Sequence, residues 1–177
     1  MDLVDLITEK RFLGQEFLTW LWYKSEERGG TIDLPGSGDI KLIFEKHMLL
    51  EYGEGEAHEK LICRGLQTEL HEARTGLLVG KKLEQARLSL AQGDFEWSFT
   101  LTATLFELRN VKCPKTMAAA EDEADPLAQE AATLDRLGMI ETVAHTVDEL
   151  FKMFLQIRLG AGWTDELGKV RAWVHKT

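Results

Sequence analysis

The sequence is short of cysteine, of proline and of basic residues. It has two cysteines and three prolines in 177 residues, and 21 Lys and Arg against 30 Asp and Glu. Cys63 and Cys113 lack the CxxC spacing of redox and zinc motifs, so we interpret them as two reduced thiols. The formal net charge of −9 argues against a protein that coats nucleic acid over its whole surface, because phosphate binding depends on Lys and Arg.

Long hydrophobic runs are also missing. No window reaches the roughly 18 consecutive apolar residues that a membrane-spanning helix needs. The first residues, Met1-Asp2-Leu3-Val4-Asp5, carry acids where a secretory signal carries Lys or Arg. We therefore expect a cytoplasmic protein without a membrane partner, associated with the nucleoid if it binds DNA.

The apolar periodicity that is present predicts an α+β fold. Residues 1–28 have helical spacing, and their aromatic run 17–23 favours a helix buried on more than one face over a base-stacking platform. Residues 31–64 read as three strands, one through Ile40, Leu42 and Phe44, one over 47–52 and one over about 59–64. Residues 68–79 read as a short helix and 83–111 as three more strands. The strongest period-two pattern is in 95–103. Because the strands cluster without βαβ alternation, we predict a mainly antiparallel sheet flanked by helices.

A break in the pattern divides the chain after residue 115. We expect an α+β core in 1–115, an acidic linker in 116–124 and a helical segment in 125–177. Pro126 suits the first position of a helix, and Gly138 predicts the boundary between that helix and the next. Gly160 and Gly162 are expected to close the second helix, and a third helix is predicted to open at Thr164.

No catalytic or metal-binding motif is apparent, so we predict a non-enzymatic protein without cofactor or metal. The segment that ends in Gly80-Lys81-Lys82 resembles a phosphate-binding P-loop only in part. Three residues instead of four separate Gly76 from Gly80, and Lys82 stands where the loop needs Ser or Thr. His58 lies in a flexible acidic loop that gives no fixed ligand geometry.

The middle of the chain is mildly basic. Residues 63–115 contain eight Lys and Arg against six Asp and Glu. If some of these cations share a face, they would track phosphates without reading bases; an ordinary mixed-charge surface is the competing interpretation. The DNA-binding candidates are Arg74, Lys81, Lys82, Arg87 and Lys112.

An apolar stripe in the helical segment is a candidate partner interface, either with another copy of the chain or with a second protein. If it forms such an interface, it should be exposed in the isolated chain. Its residues are Ile140, Val143, Val147, Leu150 and Phe154.

Several short motifs resemble, in their order, the C-terminal half of the RdgC recombination-associated proteins. The resemblance covers residues 12–115, and the helices after Asp125 have no counterpart in it. The motifs are Leu18-Thr19-Trp20-Leu21-Trp22 with Ser25 and Gly29-Gly30, Gly80-Lys81-Lys82, Leu88-Ser89-Leu90, Trp97-Ser98-Phe99-Thr100-Leu101, and Leu108 to Lys112.

The resemblance implies a protein that binds duplex DNA without strong sequence preference and restrains RecA-type strand exchange. RdgC closes a dimeric ring with a basic inner wall around DNA. The portion that precedes the matched half in RdgC has no equivalent here, so a partner chain would have to complete a ring, or the ring is lost. The resemblance supports only the Gly80-Lys81-Lys82 step and Lys112 as carried-over positions. The alternative hypothesis is a protein-interaction module or a subunit of a hetero-oligomer, with no nucleic-acid role.

Overall fold

The chain folds as an α+β protein with an antiparallel sheet and four helices among the described residues. The computed structural model describes residues 10–36, 38–53, 58–64, 67–115 and 126–176. The elements are α1 (Lys10–Glu26), a 3-10 turn (Glu27–Gly30), β1 (Thr31–Leu34), β2 (Gly38–Tyr52), β3 (Glu59–Arg64), α2 (Gln67–Leu78), β4 (Lys82–Gln92), β5 (Phe95–Thr102), β6 (Leu108–Lys112), α3 (Pro126–Leu159) and α4 (Trp163–Val174).

The sheet is organised around the 15-residue strand β2. Both β1 and β3 pair with one edge of β2, end to end, and β4 pairs with its other edge. The strand order continues through β5 to β6, and every pairing between these strands is antiparallel. Two separate strands were predicted within 38–52, and this is wrong. A bulge between Phe44 and Met48 shifts the register but does not break the strand.

All four helices lie on one face of the sheet. Alternate residues of β4 and β5, such as Leu88 and Trp97, are buried beneath them. The aromatic run of α1 is part of this core, since Trp20 and Trp22 are each only 1% exposed. This burial confirms core packing and excludes the run as a base-stacking platform. The opposite sheet face has no helix over it among the described residues.

The C-terminal helices share the core of the sheet. Phe17 of α1 packs against Phe151 and Phe154 of α3, at ring-centroid distances of 5.1 and 5.6 Å. The indole N–H of Trp20 donates to the Glu166 carboxylate of α4 over 3.0 Å. Segments 1–115 and 125–177 therefore meet in one hydrophobic core wherever they are described. The predicted acidic linker, 116–124, lies outside the described residues.

The predicted boundary at Gly138 is wrong, because α3 runs through it as one helix of 34 residues. Glycine costs about 1 kcal/mol relative to alanine inside a helix, which neighbouring helix-forming residues offset. At 1.5 Å per residue the helix is about 51 Å long. Its last part packs on α1 and its first part extends along the β6 side of the sheet.

Cys63, on β3, and Cys113, just after β6, are both free thiols. None of the helices in the described part of the chain has the length and apolar character to cross a bilayer.

Candidate anion-binding cleft

The predicted DNA-binding residues do not lie on one surface. Arg74 projects from α2 into the helical layer, where its guanidinium stacks on Trp173 with 5.1 Å to the ring centroid. Arg87 projects from β4 on the opposite face of the sheet, where its Nε lies 2.5 Å from Oε2 of Glu45. Strand alternation forces this separation, since Ala86 and Leu88 on either side of Arg87 face the helices. The common face, which the sequence left open beside an ordinary mixed-charge surface, is therefore not formed by Arg74 and Arg87.

Most of these cations are also held by carboxylates. Arg74 forms an ion pair with Glu26 and donates to the backbone carbonyl of Lys176. The Lys81 ammonium lies 2.6 Å from a Glu59 oxygen. A cation that already has a carboxylate partner gains less from a phosphate, because the existing pair must first be broken.

Lys112 has a different environment. It ends β6, in register with Ser98 of β5, and its side chain is exposed. It lines a cleft of about 520 Å³ between the segment that leaves β6 and the first half of α3. The lining residues are Val111, Lys112, Cys113, Pro114, Lys115, Ala132, Thr133, Arg136 and Met139.

Three cations stand on two walls of this cleft. Lys112 and Lys115 come from the strand side, and Arg136 comes from α3. Within the described ranges, none of the three forms an ion pair with a carboxylate, and no Asp or Glu lines the cleft. The floor is apolar and small, with Ala132 and Met139 on the helix side. The arrangement suits an anion that touches both walls.

A hydrogen bond beside the cleft fixes the position of α3 over the sheet. The indole N–H of Trp97 donates to the carbonyl oxygen of Met139 over 3.1 Å. Trp97 is 1% exposed and belongs to the main core. Because this bond joins β5 to α3 within one turn of Arg136, the two walls of the cleft keep a defined separation.

The sequence interpretation did not select Lys115 and Arg136. For both cations the sequence does show a lack of nearby acids that could pair with them. Arg136 has no acid three or four residues away, the spacing at which charges on a helix pair. Lys112 and Lys115 likewise have no Asp or Glu between Glu107 and Glu121. The sequence could not predict the approach of Arg136 to the two lysines, because Arg136 follows Lys115 by 21 positions and only the tertiary fold brings them to one cleft.

The candidate interface stripe is largely internal. Val143, Leu150 and Phe154 are 0% exposed and Val147 is 3% exposed, so these four side chains are not available to a partner. Only Ile140 is half-buried. The stripe was expected to be exposed, and the correction follows from α3 packing on α1 and the sheet.

The histidines and acids of the described ranges form no group of three or more that could hold a metal ion. His58 instead lies 3.3 Å from a Glu51 oxygen.

No family model matches the chain, and no curated protein matches it.

Proposed function

We propose that the chain is a non-catalytic, sequence-independent duplex-DNA-binding accessory protein of recombination or replication, which contacts the phosphate backbone through the cleft of Lys112, Lys115 and Arg136. The observation that carries the proposal is the convergence of three cations without carboxylate partners among the described residues. The RdgC-like order of motifs supports the same function and includes Lys112.

The chemistry of the cleft favours backbone contact over base recognition. Lysine ammonium and arginine guanidinium groups bind phosphate oxygens, and such contacts carry no sequence information. Among the described residues, the cleft walls contain no Asn or Gln for bidentate contact with adenine, and one arginine stands with two lysines. Because the chain as a whole carries a formal net charge of −9, we expect binding to be confined to this local positive region.

The test is fluorescence anisotropy of the full chain with a labelled duplex at low salt. We expect Lys112→Ala/Lys115→Ala/Arg136→Ala to weaken binding by about tenfold or more, because each lost contact removes one phosphate interaction. The matched control is Lys60→Ala/Arg109→Ala/Lys152→Ala, which removes the same charge from three exposed cations that have carboxylate partners and do not line the cleft. Equal weakening in the two triple variants, or no binding by the wild type, would contradict the proposal.

A second candidate function is a protein-interaction module, and the first half of α3 favours it. Leu134 and Leu137 are 62% and 56% exposed, although they lie on the same helix as the buried stripe. Exposed leucines on one helix are typical of helix-mediated contacts. Sedimentation equilibrium distinguishes this function: a self-association that Leu134→Glu/Leu137→Glu abolishes supports it, and a monomer at all concentrations removes self-association from consideration.

A further inference from the structure

A second concave site lies in the helical layer, on the other side of the sheet from Arg87 and away from the cleft. It is a pocket of about 190 Å³ between α1 and α4, closed at one end by the turn from α2 into β4. Its apolar lining consists of Trp20, Leu77, Trp163, Leu167 and Val170. This volume is below the range of about 300–1,000 Å³ of drug-sized ligand sites, so it suits a ligand with one small apolar group.

The polar groups of one wall already bond to neighbouring protein groups. Glu16 accepts from Nε of Arg158 over 2.7 Å, and Thr19 donates to the backbone carbonyl of Gln15 over 2.8 Å. The Gln15 amide donates to Glu84 over 2.8 Å. The polar groups of this wall therefore add few hydrogen bonds to a ligand, and the wall contributes mainly its shape.

The opposite rim is cationic. Lys81 and Lys82 both line the pocket where the α2–β4 turn closes it. Gly80 has a φ of +90°, the conformation that directs the chain from the helix end into β4. The Lys81 ammonium bonds to Glu59, whose side chain is 69% exposed, and an ammonium has three donors. The pocket thus combines an apolar interior with two ammonium groups at its rim.

We propose that this pocket binds a small amphiphilic carboxylate, with its apolar group against Trp20 and Trp163 and its carboxylate at the ammonium groups of Lys81 and Lys82. The same chemistry is available from a free short-chain carboxylic acid and from the C-terminal hydrophobic residue of a peptide. The site is independent of the proposed DNA contact, because it shares no lining residue with the cleft.

The five tryptophans provide an internal readout for this site. Trp20 and Trp163 line the pocket, whereas Trp97 is bonded to Met139 beside the cleft. In ¹⁵N-correlated NMR spectra of the full chain, hexanoate should shift the indole N–H resonances of Trp20 and Trp163 saturably. The Trp97 resonance should stay in place. Hexanamide, which has the same apolar chain without the charge, should bind at least about fivefold more weakly, since charge-assisted bonds to lysine are then lost.

Two further arms complete the test. Lys81→Ala/Lys82→Ala should weaken hexanoate binding by about fivefold or more, and Lys152→Ala, which removes a distant exposed lysine, should not. The peptide Gly-Gly-Leu with a free C-terminus is titrated in the same way. Tighter binding of the peptide than of hexanoate identifies a peptide C-terminus as the ligand class, and tighter binding of hexanoate identifies a free carboxylic acid. Non-saturable shifts for both carboxylates, equal shifts with hexanamide, or undiminished binding by the double lysine variant would overturn the proposal. Loss of DNA binding by the cleft variant would leave this result unchanged.

Discussion

Glu26 joins three helices through a single carboxylate. Its Oε1 accepts from the indole N–H of Trp22 over 3.0 Å, and its Oε2 accepts from the indole N–H of Trp173 over 2.8 Å and from the Arg74 guanidinium. The donors come from α1, α4 and α2. Arg74 is therefore a structural residue in the helical layer, although in the sequence it resembles any other cation of the basic middle.

Replacing this carboxylate should destabilise the protein. We expect Glu26→Ala to lower the free energy of unfolding by about 2 kcal/mol, because two indole donors and a guanidinium lose their acceptor. Urea unfolding followed by tryptophan fluorescence measures the change, and Glu26→Gln, which retains one acceptor oxygen, should lose less. The control Glu130→Ala removes an exposed acid of α3 and should have little effect. Similar losses from Glu26→Ala and Glu130→Ala would contradict the structural role.

Glu166 of α4 is a buried acid that contacts α1. Burial raises the pKa of Glu166, but hydrogen bonds from Lys24, 2.7 Å away, and from the Trp20 indole outweigh it and hold the pKa below its ordinary value. A carboxyl whose pKa is lower in the folded than in the unfolded chain stabilises the fold above its unfolded pKa. That stabilisation is lost as the pH falls through the folded pKa.

The expected consequence is a pH-dependent effect of Glu166→Gln. The variant should be less stable than the wild type at pH 7, and the difference should shrink as the pH falls below about 4.3, the ordinary pKa of a glutamate. Urea unfolding at a series of pH values measures it. Glu130→Gln provides the control for a general loss of negative charge. A difference for Glu166→Gln that stays constant from pH 7 to about pH 3 would refute the assignment.

Glycines determine which helix boundaries could be predicted from sequence. The helix end at Gly160 was expected and is present, since α3 ends at Leu159. Gly138 has the same residue type but lies inside α3, with no heavy atom within 4 Å of where a Cβ would be. The sequence alone could not show which of the two glycines lies inside a helix and which follows a helix end, because glycine tolerates both positions. Packing of α3 on the sheet on the C-terminal side of Gly138 favours the continuous helix.

Alanine at Gly138 should therefore stabilise the protein, by about 0.5–1 kcal/mol, by reducing the backbone entropy of the unfolded chain. Gly14, also helical, provides the opposite case. Its Cβ would lie 2.0 Å from the Ala103 carbonyl oxygen, so Gly14→Ala should destabilise by about 2 kcal/mol or more. Thermal unfolding followed by circular dichroism compares the two. Destabilisation by Gly138→Ala would indicate that α3 bends or breaks at this glycine.

At the scale of the whole molecule, the fold class followed from sequence because alternation in 95–103 and helical spacing in 13–23 are local signals. The common basic face failed because charge pairing is not local. Arg87 pairs with Glu45 and Arg74 with Glu26, which are 42 and 48 positions away in the chain. The total charge of −9 and the count of bases in the middle do not reveal which cations already have a carboxylate partner.

The number of phosphate contacts that the whole surface makes should be measurable from the salt dependence of DNA binding. With three cations in the cleft and a net charge of −9 over the chain, log K should fall against log salt with a slope of about −2.7, that is, about −0.9 per phosphate contact on duplex DNA. Arg136→Ala should reduce the slope by about 0.9, whereas Arg87→Ala should leave it unchanged, because Arg87 is held by Glu45 and lies outside the cleft. Anisotropy titrations at several salt concentrations give all three slopes. A steeper wild-type slope would mean that further cations contact the backbone, and a reduction by Arg87→Ala would place DNA on the uncovered sheet face.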